Sequence, residues 1–477
     1  MKIFLTLLIV AYLISSAALA YELPDLGEHS ATILTPKEEK QMGKEFIQAV
    51  RSHLSILDDS IINDYIQNLG DKLAANSNAK NKKFNFFIVL NPAINAFAGP
   101  DANIGIYSGI FLATRSESEL AAVMAHEIAH VSQHHMEHLI ERAKNTQLTA
   151  TAGALAALLV GIAAGANNVG TGAAMASMGG AQQHLLNFTK DKEIEADHIG
   201  MKTLYNSGFN PEAMPNFFER VQRLTYDYNN DQIPTFFLTH PATTDRIAES
   251  KDRANQYQKK QIKSQNTYNL LHARMQVLTL RHPTDATRYF QKQLAINKHQ
   301  DETGATQYGY ALALYKNQQL AQATTIIANL QKKYPNEVLF QMAAAQLAAA
   351  NKQPDNAINI LKTALSSHPD YYPLFIQYGQ TLIEAKHSQA ARDFLKSKII
   401  QYSDNSDLSW LLAEAYAQNN QKADAYQAKA RSYEIEGYYR QAGVLLQQAL
   451  KVPKLSSTEQ AIIHARIERL QHAERNL

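Results

Sequence analysis

Ala121-Ala-Val-Met-Ala-His126-Glu127-Ile-Ala-His130-Val131 is an apolar helical run interrupted by two histidines and one glutamate. At ~3.6 residues per turn, His126 and His130 lie one turn apart on the same helix face, so two imidazole nitrogens can point at one ion. Val123, Met124, Ile128, Ala129 and Val131 make nearly every other side apolar, as in a core helix. Ionisable groups are seldom buried there unpaired, so an ordinary helix with solvent-facing polar residues is the weaker reading. The H-E-x-x-H pattern outlines a zinc site, because zinc favours imidazole and carboxylate in a roughly tetrahedral shell and a catalytic site leaves one position to water. Glu127 would sit beside that water and take its proton, since a metal lowers the water's pKa to about 7.

The third ligand separates enzyme types. A metzincin would carry Gly and His where Gln133 and Met136 stand, so that class is excluded. A carboxylate from a second helix remains, and Glu193-Ile-Glu195-Ala-Asp197 is the strongest candidate downstream. Glu193 and Asp197 are also one turn apart, hence on one face. Glu193 could bind the ion, with Glu195 next in line, while Asp197 serves as its outer partner or works on the reacting groups.

Ala125-His-Glu-Ile-Ala-His-Val131 with Glu193-x-x-Ala-Asp197-x-x-Gly200 resembles the gluzincin peptidases that include the CAAX prenyl-protein endopeptidases and the heat-shock protease HtpX. The resemblance implies His126, His130 and Glu193 as ligands of one zinc ion, Glu127 as catalytic base, and Asp197 in a supporting or proton-donor role. Ile94-Asn-Ala-Phe-Ala98 followed by Ile106-Tyr-Ser-Gly-Ile-Phe111 is similar to the family's strand segment ahead of the helix. His240-Pro241-x4-Arg246-Ile247 is similar to its segment after the third ligand. Gly99 to Ile104 departs from the family's shorter glycine turn, and no binding role is carried onto it. By the resemblance, His240 returns to the cleft with Arg246, and two roles compete for it. It is a donor to the oxyanion of a tetrahedral intermediate, or a ligand that fills zinc's fourth position and holds the enzyme silent; a plain turn histidine is the alternative to both.

Around this centre, 477 residues suggest two or three domains. A net charge of +2 with both signs interspersed gives no reason to propose nucleic acid or an anionic membrane as partner. Lys2, an apolar run from Ile3 to Ile14 and Ala18-Leu-Ala20 read as a secretory signal cut after Ala20. The run is shorter than the ~20 residues of a bilayer span, which disfavours an uncleaved anchor. Tyr21 rather than Cys would begin the mature chain, so lipidation there is not expected, and the chain has no cysteine to form disulfides.

Thr35-Pro36-Lys-Glu-Glu39 reads as a helix start, with the helix running to about His53, and Asp59 to Asn76 carries a second helical pattern. Phe84 to Leu90 and Ile104 to Ser108 read as neighbouring strands, whose edge beside the zinc helix suits an extended peptide substrate. Leu148 to Ala166 is uncharged and rich in Ala and Gly, which predicts a buried or lid-forming helical hairpin turning at Asn167 to Gly170 rather than a membrane span. Asp252 to Asn266 is polar and reads as a linker or a solvated helix.

Beyond it, Ala323, Ala357, Ala391 and Ala425 recur every 34 residues, in phase with Tyr334-Pro335, His368-Pro369 and Tyr402-Ser403. That is the tetratricopeptide period, whose helix pairs bury their apolar faces by stacking on neighbours. Tyr268 to Leu294 fits a degenerate unit and Gly437 to Arg469 a capping pair. The expected architecture is mainly α: a signal over 1–20, a zincin-like α+β metallopeptidase domain with a small sheet over 21–252, a linker over 253–266, and an α-solenoid of tetratricopeptide repeats over 267–477.

This combination is similar to the periplasmic proteases that assist β-barrel assembly. The resemblance implies a periplasmic zinc endopeptidase with chaperone-like activity, stalled or misassembled outer-membrane proteins as substrates, and the outer-membrane barrel assembly machinery as partner. The competing class is a chaperone or scaffold whose peptidase site is largely silent, and intact His126, Glu127, His130 and Glu193 argue for the enzyme. A membrane-embedded peptidase is the third reading.

Overall fold

Thr35 opens the first helix, α1 (Pro36–His53), with a complete capping box in which its side chain accepts from the Glu38 amide and Glu38 reaches back to the Thr35 amide. The computed structural model describes residues 34–145, 181–227, 240, 243–258, 260, 266–296 and 304–475. In α2 (Ser60–Ala74), Asp59 caps the start by accepting from the Ile62 amide, and Ile62, Ile66, Leu69 and Leu73 form its buried stripe.

Three short strands follow. β1 (Asn85–Val89) runs parallel to β3 (Asn103–Tyr107), and β2 (Ala96–Gly99) runs antiparallel along the other side of β3. The order is therefore β1-β3-β2, with every residue of β3 buried and β2 at an edge. The chain passes from β3 directly into α3 (Ser108–Ala113) and then α4 (Glu117–Ser132), which Ser116 caps. Every residue of α4 from Ser118 to Ala129 is buried, which is the core helix that the apolar pattern predicts. At its end His134 takes a left-handed backbone conformation, φ 54°, and α5 (His135–Asn145) departs in a new direction.

α6 (Ala181–Asn206) packs along α4, and α7 (Ala213–Asp227) supplies Phe217, Phe218 and Val221 to the same core. Gly200 makes the close approach possible, because a Cβ there would lie 3.1 Å from both the Ala125 carbonyl oxygen and His126 Cα. α8 (Thr244–Ala254) closes this part of the chain. The polar segment after it is not wholly solvated: the Lys260 ammonium donates to the Tyr205 carbonyl at 2.6 Å and lies 3.9 Å from the Tyr205 ring centre. The segment predicted as a helical hairpin, Leu148 to Gly170, lies outside the described residues, as does the signal. Among the described residues no helix is long and apolar enough to cross a membrane.

From here the chain is helical pairs: α9 (Asn266–Thr279) with α10 (Pro283–Ile296), α11 (Ala305–Lys316) with α12 (Leu320–Lys333), α13 (Val338–Ala350) with α14 (Pro354–Ser367), α15 (Tyr372–Glu384) with α16 (Ser388–Gln401), α17 (Ser406–Gln418) with α18 (Lys422–Ile435), and α19 (Tyr439–Leu450) with α20 (Ser457–Arg475). The turns inside the last five pairs carry Gln318, Lys352, Lys386, Asn420 and Lys454 at φ between 59° and 72°. These positions repeat at the 34-residue interval seen in the sequence. Ala323, Ala357 and Ala391 are fully buried between helices, whereas Ala425 is only half-buried, so the alanine register loosens towards the last units.

The repeats do not stand apart from the peptidase region. One continuous core runs from Leu57 and Ile62 through Ile128 and Phe217 to Tyr268, Leu271 and Leu374. Arg274 of α9 forms a forked pair with the helix cap Asp59, at 3.0 Å from Nε to Oδ1 and 2.7 Å from Nη2 to Oδ2. The Tyr268 hydroxyl donates to the Thr114 carbonyl at 2.8 Å. The far end of the array returns to α1, where Gln48 donates to the Gly437 carbonyl at 3.1 Å and the Lys44 ammonium lies 5.1 Å from the Tyr439 ring centre. The array therefore curls round α1 and α2.

Candidate metal centre

α4 and α6 bring His126, His130 and Glu193 together, and His240 joins them from the segment before α8. One donor atom from each of the four lies within 4.8 Å of every other. His126 Nε2 is 3.1 Å from His130 Nε2 and 3.3 Å from Glu193 Oε2, and His130 Nε2 is 3.3 Å from Glu193 Oε1. His240 Nδ1 is 2.9 Å from Glu193 Oε1 and 3.4 Å from His126 Nε2. Nitrogens packed this closely, with a carboxylate among them, are a donor set that a cation would satisfy.

Glu127 lies beside this set. It is 0 % exposed, its Oε1 is 3.6 Å from His240 Nε2, and among the described residues neither carboxylate oxygen has a hydrogen-bond partner. A buried carboxylate left this way costs free energy unless something it serves belongs next to it. Two imidazoles and a carboxylate with a buried carboxylate base alongside fit zinc in a catalytic setting.

Asp197 and Arg246 stand behind the donor set rather than within it. His126 Nδ1 is 2.9 Å from Asp197 Oδ1. Arg246 is 1 % exposed; it donates from Nε to Asp197 Oδ2 at 2.8 Å and from Nη2 to Oδ1 at 2.9 Å, while Nη1 lies 3.0 Å from Glu193 Oε2. Its guanidinium also lies over the Phe218 ring, which meets His126 edge-on. The buried arginine therefore fixes the third-ligand candidate and the outer partner of the first ligand candidate at once.

The electrostatics follow from burial and these neighbours. Burial opposes ionisation of Glu193, yet His240, His130 and His126 around it hold its carboxyl well below the ordinary range. Burial opposes a charged His126, but its contacts with Asp197 and Glu193 push it up to about 10. For His130 burial wins and pulls it down to about 4. Burial raises the Glu127 carboxyl, although His240 and His126 counter part of the shift. In Asp197, His126 and Arg246 overcome burial and keep the carboxylate ionised.

One neighbour was not singled out by the sequence reading. His135, the first residue of α5, places its Nδ1 2.8 Å from His130 Nδ1. Glu195, the alternative third ligand, is 3.3 Å from His135 Nε2, with a side chain 40 % exposed, and is not in the donor set. The signal for His135 was a histidine five places after His130. In an unbroken helix that spacing points about 140° away, so only the backbone turn at His134 makes it meaningful.

The peptidase family M48 model matches residues 60–254, and a tetratricopeptide repeat model matches residues 348–397. The beta-barrel assembly-enhancing protease of Escherichia coli (strain K12) is 30% identical over 450 residues, covering 94% of this chain and 91% of that protein. The putative beta-barrel assembly-enhancing protease of Vibrio cholerae is 32% identical over 453 residues, covering 94% and 92%. Metalloprotease LoiP of Escherichia coli (strain K12) is similar over a shorter stretch, 26% identical over 182 residues, covering 38% of this chain and 66% of that one. This chain, with its zinc-dependent endopeptidase region and its tetratricopeptide repeats, thus matches the first two along nearly their whole length, and it belongs to the beta-barrel assembly-enhancing proteases of peptidase family M48.

Proposed function

We propose that this chain is a periplasmic zinc endopeptidase that removes misassembled or stalled outer-membrane β-barrel proteins and assists the assembly of others. The observation that carries the catalytic part is the convergence of four donor side chains beside the buried Glu127, whose carboxylate accepts no hydrogen bond among the described residues. The substrate class rests on the relatives, which are described as enhancing β-barrel assembly. In this reading residues 1–20 are a secretory signal, 21–252 the peptidase domain, 253–266 a linker and 267–477 the repeat domain, which docks the barrel assembly machinery or its unfolded clients.

His126, His130 and Glu193 hold the zinc, which when bound supplies a Lewis acid and lowers the pKa of water to about 7. Glu127 takes the proton from the attacking water and passes it to the leaving amine, and its raised pKa suits both steps. Asp197 orients His126 through Nδ1, and Arg246 holds Asp197 and Glu193 in register. An extended substrate strand adds to the edge of β2, which packs beside α4.

His240 favours the second reading, a site that is silent for much of the time. Its Nδ1 lies 2.9 Å from Glu193 Oε1 and 3.4 Å from His126 Nε2, which supports a role as fourth ligand over one as donor to an oxyanion. Cleavage of a misfolded outer-membrane protein by purified protein, with and without chelator, tests the enzyme. Crosslinking of Glu127→Gln in the periplasm tests the substrate class. Chelator-insensitive cleavage, or crosslinks to no outer-membrane protein, contradicts the proposal.

A further inference from the structure

A metal-bound imidazole keeps its aim only if its other ring nitrogen is held. For His126 that partner is Asp197. For His130 it is another imidazole, with His135 Nδ1 2.8 Å from His130 Nδ1 and Glu195 Oε2 3.3 Å beyond at His135 Nε2. We propose that His135 is the positioning residue of His130, and that Glu195 fixes the tautomer in which His135 does this. The inference rests on the reading of His130 as a zinc ligand through Nε2.

The direction of each hydrogen bond follows from that reading. With its Nε2 lone pair turned to the metal, a neutral His130 ring carries its proton on Nδ1 and donates it to His135 Nδ1. His135 must then keep a lone pair at Nδ1 and carry its own proton on Nε2. Glu195, which can only accept when ionised, stands at that nitrogen. The opposite tautomer of His135 would bring two N–H groups face to face across 2.8 Å and aim a lone pair at a carboxylate. Lys192 donates to the same Glu195 oxygen at 2.7 Å and holds the outer end of the chain.

The backbone is arranged for this contact. Gln133 ends α4, the left-handed turn at His134 reverses the drift of the helix, and His135 comes back beneath His130 with 7 % of its surface exposed. The line from the donor set through His130 and His135 to Glu195 thus runs from a buried centre to the protein surface.

Zinc affinity of the full-length protein, measured by competition with a fluorescent chelator, tests the inference together with the d–d absorption of the cobalt(II)-substituted form. His135→Phe keeps a ring without an acceptor, and His135→Asn keeps an acceptor near the Nδ1 position. Expected are a loss of about 10- to 100-fold in zinc affinity and shifted cobalt bands for His135→Phe, with His135→Asn recovering most of both. Glu195→Ala, at a part-exposed position that spares the fold, shifts the cobalt bands in the same direction with a smaller loss of affinity. Wild-type affinity and bands in His135→Phe overturn the inference, and so does an Asn variant as damaged as the Phe one. His130→Ala separates the two layers: a loss there with wild-type behaviour in His135→Phe leaves the ligand reading standing alone, whereas undiminished affinity in His130→Ala removes the ligand reading and the inference with it.

Discussion

In the proposed function, Glu127 and the residues around it divide into two kinds, those that would hold the ion and one that would move a proton. Glu127→Gln should keep one zinc per chain and lose ~10²–10⁴ in hydrolysis rate, because only the proton transfer is removed. Glu193→Gln or His130→Ala should lose zinc itself, as metal analysis after dialysis will read. At His240 the direction of the effect decides its role: faster turnover in His240→Ala marks a fourth ligand that holds the site closed, whereas a fall of ~10²-fold with zinc retained marks an oxyanion donor. At this scale H-E-x-x-H and Glu193 were legible because helical spacing alone puts each pair of residues on one face. The burial of Arg246 behind Asp197 and Glu193 was not, since no local spacing reports that a long cationic side chain turns inward across two helices. His135 was missed for the related reason that its spacing has meaning only after a helix break.

Among the elements, the start of α1 was the most readable, because Thr35 caps it by short-range chemistry written in the sequence, and the structure shows Asp59 and Ser116 capping α2 and α4 in the same way. The repeat turns were readable as a period, but their left-handed backbone was not, since Lys352 and Lys386 stand where glycine would be expected. Lys352→Gly should therefore stabilise the array by about 0.5–1 kcal/mol, seen as a higher thermal midpoint, and an unchanged or lower midpoint contradicts the strain. α2 offers a pH test. Burial raises the Asp64 carboxyl to about 6, and its charge faces Tyr371 and Tyr372 of the array. Because the folded pKa lies above the unfolded value of about 3.9, the folded state binds the extra proton, so stability is gained as pH falls through 6 and lost as it rises. Asp64→Asn should be more stable than wild type at pH 7.5, by about 1–2 kcal/mol once solvent screening is allowed for, and the difference should close towards pH 4.

Over the whole molecule, length suggested two or three domains and the 34-residue period set the repeats apart, but neither showed that the two regions share a core. Contacts between distant segments leave no periodic trace in a sequence, so the Arg274–Asp59 pair had no local signature. Arg274→Ala should strand the Asp59 charge at the start of α2, costing about 3–5 kcal/mol, and should speed amide exchange in α2 and α9 together. Exchange that rises in α9 alone would mean that the two regions are coupled elsewhere. Through α2, which packs on both α4 and α15, the array is also mechanically next to the candidate metal centre.

The measurement that bears most directly on the central claim is hydrolysis of an unfolded outer-membrane protein by the purified full-length chain, followed as zinc is stripped and returned. One zinc per chain, loss of cleavage on chelation, recovery on adding zinc, and no recovery in Glu127→Gln are predicted. Cleavage that survives chelation, or a Glu127→Gln form as active as wild type, would contradict it.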